Sequence, residues 1–314
     1  MKKLIISIAA LGLCFAAGAQ NLPELSNDAR SMGMGGSGVA ITPSAMSIYN
    51  NIAAIGLSDD KGAVSVGYSP WMNDKEPGNN IYSLGAFYRI GDRHAVSIGS
   101  RYFNMKNISI TDAMDENGNA LDPFKAKPWE VTIDAGYAFT INDNMAVGAT
   151  VRFMNSELDS EKSDAATAFG VDLGYYFRKD RISAGLVLSN VGTELDYGGP
   201  KKSDMPAYVR GAGAYAFPIG SMHTLTGTLQ LDYKFMDPQD QNGFEGGVGV
   251  EYMYNKMIAA RVGYRLADDT RDFSYLTAGV GVHVKCVDFN FSMLFGDKDC
   301  EWKNTMLFGL GVRF

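Results

Sequence analysis

The first residues to invite a chemical reading are Gly33-Met34-Gly35-Gly36-Ser37-Gly38. They satisfy G-x-G-x-x-G, and Asp59 and Asp60 follow at about the distance of a dinucleotide site's ribose-binding carboxylate. Phosphate binding of that kind needs a buried strand leading into the glycines and a helix leading out. The segment before them, NLPELSNDARS (21–31), is too polar to be that strand. The glycines are therefore read as permitting tight bends and close approach of backbone to its neighbours.

Other chemistry fares no better. The three histidines, His94, His223 and His283, stand beside short connections, away from any Ser–acid pair that would make a nucleophilic triad. The run Asp115-Glu116-Asn117-Gly118-Asn119 meets a calcium-loop spacing only in part and lacks helical flanks, so it reads as a solvated acidic loop. Neither an enzyme, a metal site nor a cofactor is expected. Cys14 lies in a leader. Cys286 and Cys300 fall at opposite ends of one extended segment, a span of roughly 25 Å in a membrane strand. A disulfide allows only about 7 Å between Cα atoms, so two unbridged thiols are expected.

The elements that position these residues begin with a secretory leader over 1–19. Lys2 and Lys3 precede an apolar run, and Ala17-Gly18-Ala19 closes it. Cleavage there moves the net charge from −7 to about −9, which argues against a nucleic-acid partner. From residue 61 to 314 the sequence alternates with period two. The clearest segment is TLTGTLQLDYKF (224–235), apolar at Leu225, Leu229, Leu231, Tyr233 and Phe235 and polar at the residues between. Roughly fourteen such segments follow one another, each near the 9–11 residues of a tilted membrane strand. Their connections alternate between short turns and long loops, a sorting that a soluble sandwich has no reason to make. The predicted fold is all-β: an antiparallel transmembrane barrel of about fourteen strands. Residues 20–60, small and apolar without alternation, are predicted to enter the lumen as a hatch or plug.

The alternation also assigns an inward charged set: Arg101, Asp134, Arg152, Asp172, Arg210, Asp232, Lys234, Glu251, Arg261, Arg265 and Arg313. Asp134 and Arg152 are equidistant from Asp143 in their shared turn, which predicts that they stand side by side. The set reads as a salt-bridge lattice, because buried charges need partners.

The stretch Asp28-Ala-Arg-Ser-Met-Gly-Met-Gly-Gly-Ser-Gly-Val-Ala40, followed by Tyr49 and Asn51-Ile52-Ala53, resembles the opening of PorV/PorQ-family proteins, which are similar to the FadL fatty-acid transporters. Arg30, Gly33, Met34, Gly35, Gly36, Tyr49, Asn51 and Ala53 match that pattern, and Ile52 stands where the family usually has proline, which predicts a different local turn. The resemblance implies a bacterial outer-membrane barrel surrounded by lipid, with an N-terminal hatch. Its role would be transport of a hydrophobic ligand or support of type IX protein secretion through a secreted or secretion-system partner. A structural or adhesive barrel acting through loops 105–127 and 191–206 is the alternative.

Overall fold

In the computed structural model, the described residues are 27–71, 78–106, 108–110, 124–157, 165–196, 205–235, 242–267, 274–296, 300 and 303–314. The leader and the acidic residues 112–122 lie outside them. Sixteen strands follow in order. They are β1 (Gly62–Trp71), β2 (Asn79–Ile90), β3 (His94–Asn104), β4 (Ile108–Ile110), β5 (Phe124–Ala126), β6 (Trp129–Asn142), β7 (Met145–Glu157) and β8 (Ala166–Lys179), then β9 (Ile182–Gly192), β10 (Ala207–Ile219), β11 (His223–Phe235), β12 (Gly243–Tyr254), β13 (Ile258–Leu266), β14 (Tyr275–Val284), β15 (Val287–Gly296) and β16 (Met306–Arg313). All but β4 and β5 form one closed antiparallel barrel, in which each strand pairs with its neighbours in sequence and β1 closes on β16. β4 and β5 form a separate two-stranded hairpin of three residues each inside the long β3–β6 connection. At the seam the Gly62 N–H donates to the Phe314 carbonyl at 2.9 Å, and the Phe314 N–H returns the bond at 2.9 Å.

The sorting of loops is complete. Connections β2–β3, β6–β7, β8–β9, β10–β11, β12–β13 and β14–β15 are short turns at one end; the strand ends at the opposite end are joined by longer stretches of sequence. Lys285 and Cys286 make the β14–β15 turn, whose Lys285 adopts a positive φ of 54°. Cys286 is exposed there, whereas Cys300 is buried beyond the far end of β15, and no bridge joins them.

The alternating side chains divide by chemistry. Outward positions expose large apolar residues, among them Ile98, Ile133, Val151, Leu186, Leu231 and Val262. Inward positions bury Arg101, Glu130, Asp134, Arg152, Asp232 and Glu251. Apolar outside and polar inside reverses the soluble rule and suits a wall bathed in hydrocarbon.

Residues 27–58 lie against the inner face of the barrel, and Asp59 is exposed at its mouth. Helix α1 (Ala29–Met32) is capped by Asp28, whose carboxylate accepts from the Arg30 N–H. Helix α2 (Ser47–Asn50) and a 3-10 helix (Ile52–Leu57) follow. Asn51 caps the latter by accepting from the Ala53 N–H, and every residue of that helix is buried. Elements this short hold no stability of their own; the wall must hold them. Ile48, Tyr49, Ile52 and Ile55 share one apolar cluster with Phe87, Ala95 and Ala138 of the wall.

Candidate functional site

The interface between this internal segment and the barrel wall is where the chemistry-bearing residues meet. Its seat is a set of inward glycines on the wall. A Cβ on Gly249 would stand 2.5 Å from the Met34 carbonyl, one on Gly136 would stand 2.6 Å from the Ile52 side chain, and one on Gly99 would meet the Tyr49 hydroxyl at 2.6 Å. Six inward glycines form three direct cross-strand pairs: Gly85 with Gly99, Gly148 with Gly174, and Gly249 with Gly263. Paired glycines make notches into which the plug's backbone and side chains enter. Plug glycines alone suggested close packing from the sequence; that the wall supplies matching notches was not read there, although inward glycines at alternating positions carry the signal.

Wall side chains also satisfy the plug's irregular backbone. The Gly35 N–H donates to Thr277 Oγ1 (3.0 Å) and the Val39 N–H to Gln230 Oε1 (3.1 Å). The hydroxyls of Ser183, Tyr176 and Thr140 donate to the carbonyls of Ala40, Ile41 and Gly56 at 2.6, 3.2 and 2.7 Å. Asn51 Nδ2 donates both to Val39 O within the plug and to Tyr175 O on the wall. Buried backbone groups outside helices and strands need such partners.

Among the described residues, inward charges gather in three bonded groups. In the first, Arg152 Nε donates to Asp134 at 2.6 Å and its Nη2 to Asp172 at 3.0 Å, with Asn190 accepting from its third nitrogen. Arg101 extends this group through Thr132, and its guanidinium lies 4.7 Å from the centre of the Tyr49 ring. Asn190 joins by adopting a positive φ of 59° and donating its N–H to Asp172 at 2.7 Å. The second group unites Arg265 with Asp232 and Glu245, each at 2.5 Å. The third crosses from plug to wall: Arg30 donates to both oxygens of Glu251 at 2.8 and 3.0 Å, and Arg261 donates to the same carboxylate at 2.6 Å and to Asn290 at 2.8 Å. Burial pulls the Arg30 pKa down, but the adjoining Glu251 carboxylate raises it further, so the guanidinium stays charged.

Among the predicted residues, Asp134 and Arg152 are direct cross-strand partners. Lys234 is buried. Arg210 belongs to none of the three groups; its guanidinium packs 4.3 Å from the Tyr208 ring. Arg313 stands at the short-turn mouth, where its Nε forms an ion pair with Asp288 Oδ2 at 2.6 Å. The histidines are also near that end: His94 and His223 bond the hydroxyls of Tyr137 and Tyr252 (both 2.7 Å), and His283 meets Asp288 at 2.6 Å. The wall and the internal segment border a half-open vestibule of about 330 Å³ there, lined by Arg30, Asp59, Arg178, His283 and Arg313 among others. Across its rim Arg178 pairs with Asp59 of the plug at 2.9 Å.

A closed antiparallel barrel with an apolar exterior and a charged interior defines an outer-membrane barrel. Residues 17–241 match the type IX secretion system protein PorV, and the chain belongs to that family. It is thus a bacterial outer-membrane protein of a secretion family rather than an enzyme. No curated protein sequence matches it. Among solved structures, the Pseudomonas putida toluene transporter TodX aligns with a TM-score of 0.67 at 12% identity, over 90% of this chain and 97% of TodX. The Ralstonia pickettii toluene transporter TbuX gives 0.60 at 16% identity, over 90% and 97%. A Pseudomonas aeruginosa FadL homologue gives 0.56 at 14%, over 95% and 97%. At these identities the likeness is one of fold.

Proposed function

We propose that this barrel supports type IX protein secretion as a permanently stoppered accessory, with its lumen closed to solutes and its rim and loops as the working surface. The observation that carries this reading is the fastening of the plug. Side chains from β6, β8, β9, β11 and β14 bond its backbone, and Arg30 is held bidentately by Glu251. Each such bond contributes about 0.5–1.5 kcal/mol net. A moving hatch would have to release them together.

A cross-link tests the reading. A Cβ on Gly309 would lie 3.7 Å from Ala29 Cβ without crowding, inside the range a disulfide needs. With Cys286 replaced by Ser, Ala29→Cys plus Gly309→Cys should oxidise and tie α1 to β16. The tied barrel is expected to restore release of type IX cargo to a strain lacking the gene as fully as the reduced one. Loss on oxidation with recovery on reduction would instead establish a moving plug. It would favour passage of a hydrophobic solute, the role printed in the names of the two toluene transporters.

A further inference from the structure

The vestibule at the short-turn mouth carries more donors than its own acceptors use. Four carboxylates line it: Asp28, Asp59, Asp60 and Asp288. Three of them have both oxygens engaged. Asp28 accepts from the Arg30 N–H (3.0 Å) and from Asn50 Nδ2 (3.2 Å). Asp59 accepts from Arg178 at 2.9 and 3.2 Å. Asp288 meets His283 Nδ1 with one oxygen and Arg313 Nε with the other, each at 2.6 Å.

The cations on one flank are less fully used. Lys256, on the β12–β13 turn, is exposed and has no ion pair among the described residues. Arg313 of β16 is ion-paired to Asp288 and, at 3.8 Å, to Asp60, yet its Nε is buried without a hydrogen-bond partner. His283 Nε2, at the end of β14, is buried and unpartnered as well; in the imidazolium form it is a donor. Buried polar atoms are ordinarily paired, and an anionic acceptor would pair these. The three residues are held close. The His283 N–H donates to the Met257 carbonyl at 2.7 Å, tying the β12–β13 turn to β14. The Arg313 N–H donates to the Cys286 carbonyl at 2.8 Å, tying the β14–β15 turn to β16.

Neighbouring turns extend the charge. Lys179, Arg181 and Lys285 stand exposed at the β8–β9 and β14–β15 turns, with Asp180 the one acid among them. In an outer-membrane barrel the short turns face the periplasm. This positive rim is wider than a cavity of about 330 Å³. It therefore complements a chain of carboxylates better than a single small anion.

The geometry points to a docking site for an acidic, extended segment of a periplasmic protein. One carboxylate enters the vestibule beside Lys256, His283 and Arg313, and its neighbours meet the basic turns. The site goes beyond the secretion role proposed above and does not depend on it.

Fluorescence anisotropy of fluorescein-labelled hexaglutamate, titrated with the full chain in nonionic detergent, tests this. The unaltered protein should bind the peptide, less tightly as salt rises. Lys256→Glu should weaken binding about tenfold and Lys256→Gln about threefold, while Lys256→Arg retains it. Lys256 lies on an exposed turn, so these variants should assemble, which heat-modifiability on gels verifies. Arg93→Gln removes an exposed cation from the β2–β3 turn, outside the vestibule, and should leave the affinity unchanged. The site would be overturned by an unaltered protein that does not bind, by equal affinity of the assembled Lys256→Glu variant, or by an equal loss in Arg93→Gln. Displacement of the peptide by free glutamate at the same residue concentration would overturn its assignment to a polypeptide.

Discussion

Gly35 and Gly36 are neighbours with the same backbone hand, φ +68° and +74°, yet the structure gives them different demands. A Cβ on Gly35 would meet the carbonyl oxygens of Val248 and Tyr264 at 2.7 Å, both belonging to hydrogen-bonded wall strands that cannot retreat. On Gly36 the nearest atom would be Arg265 Nη1 at 3.6 Å, an ordinary contact. Gly36→Ala should therefore cost only the left-handed backbone, about 1–2 kcal/mol, while Gly35→Ala should unseat the plug. Limited proteolysis from the periplasmic side would reveal it, with cleavage within 27–60 in the Gly35 variant alone. Equal protection of both variants would refute the close-packing account. The sequence reached the bend and the close approach but not the atoms approached, because the obstructing carbonyls lie more than two hundred residues away. The same distance hid Arg30–Glu251, whereas Asp134–Arg152 was legible because both are counted from one short turn. For Arg210 alternation assigns a place directly opposite Asp232, and it does not reach the Tyr208 ring against which the guanidinium packs.

At the level of elements, alternation and loop parity sufficed to place the fourteen wall strands to within a few residues. The β4–β5 hairpin escaped because it lies inside a polar connection. The seat of the plug escaped for another reason: alternation separates inside from outside and says nothing of which strands an internal segment touches. Ile52 illustrates the gap. A different local turn was expected where the family has proline, but Ile52 is the first residue of the 3-10 helix, where an N–H needs no helical acceptor and proline fits. The preceding Asn51 has φ −157° and ψ 101°, the extended conformation that proline imposes on its predecessor. The turn is thus compatible with both residues, and what isoleucine adds is a side chain seated between Gly136 and Gly148. Ile52→Pro is expected to preserve assembly and lower stability by about 1–3 kcal/mol through lost packing, read as a shifted urea unfolding midpoint in lipid or detergent. Failure to assemble would show that the backbone here excludes proline.

At the level of the whole molecule, strand number sets the problem that the plug solves. Barrels of about eight strands are filled by their own side chains, and those of about sixteen to eighteen hold a water channel. Fourteen strands lie between, and here the inner wall is further hollowed by paired glycines. The barrel itself does not depend on the plug for closure: an unbroken ladder runs through all fourteen strands, including the β1–β16 seam from Ala63 opposite Arg313 to Tyr68 opposite Phe308. Deleting residues 27–58 should therefore leave a barrel that remains heat-modifiable and becomes a pore, its lumen lined by the Arg152 and Arg265 groups and by a Glu251 relieved of Arg30. Planar-bilayer recordings should show ion conductance in the deletion variant and none in the unaltered protein. An assembled deletion barrel that stays silent would mean that the wall collapses inward without its plug. The segment would then be acting as a strut as much as a stopper.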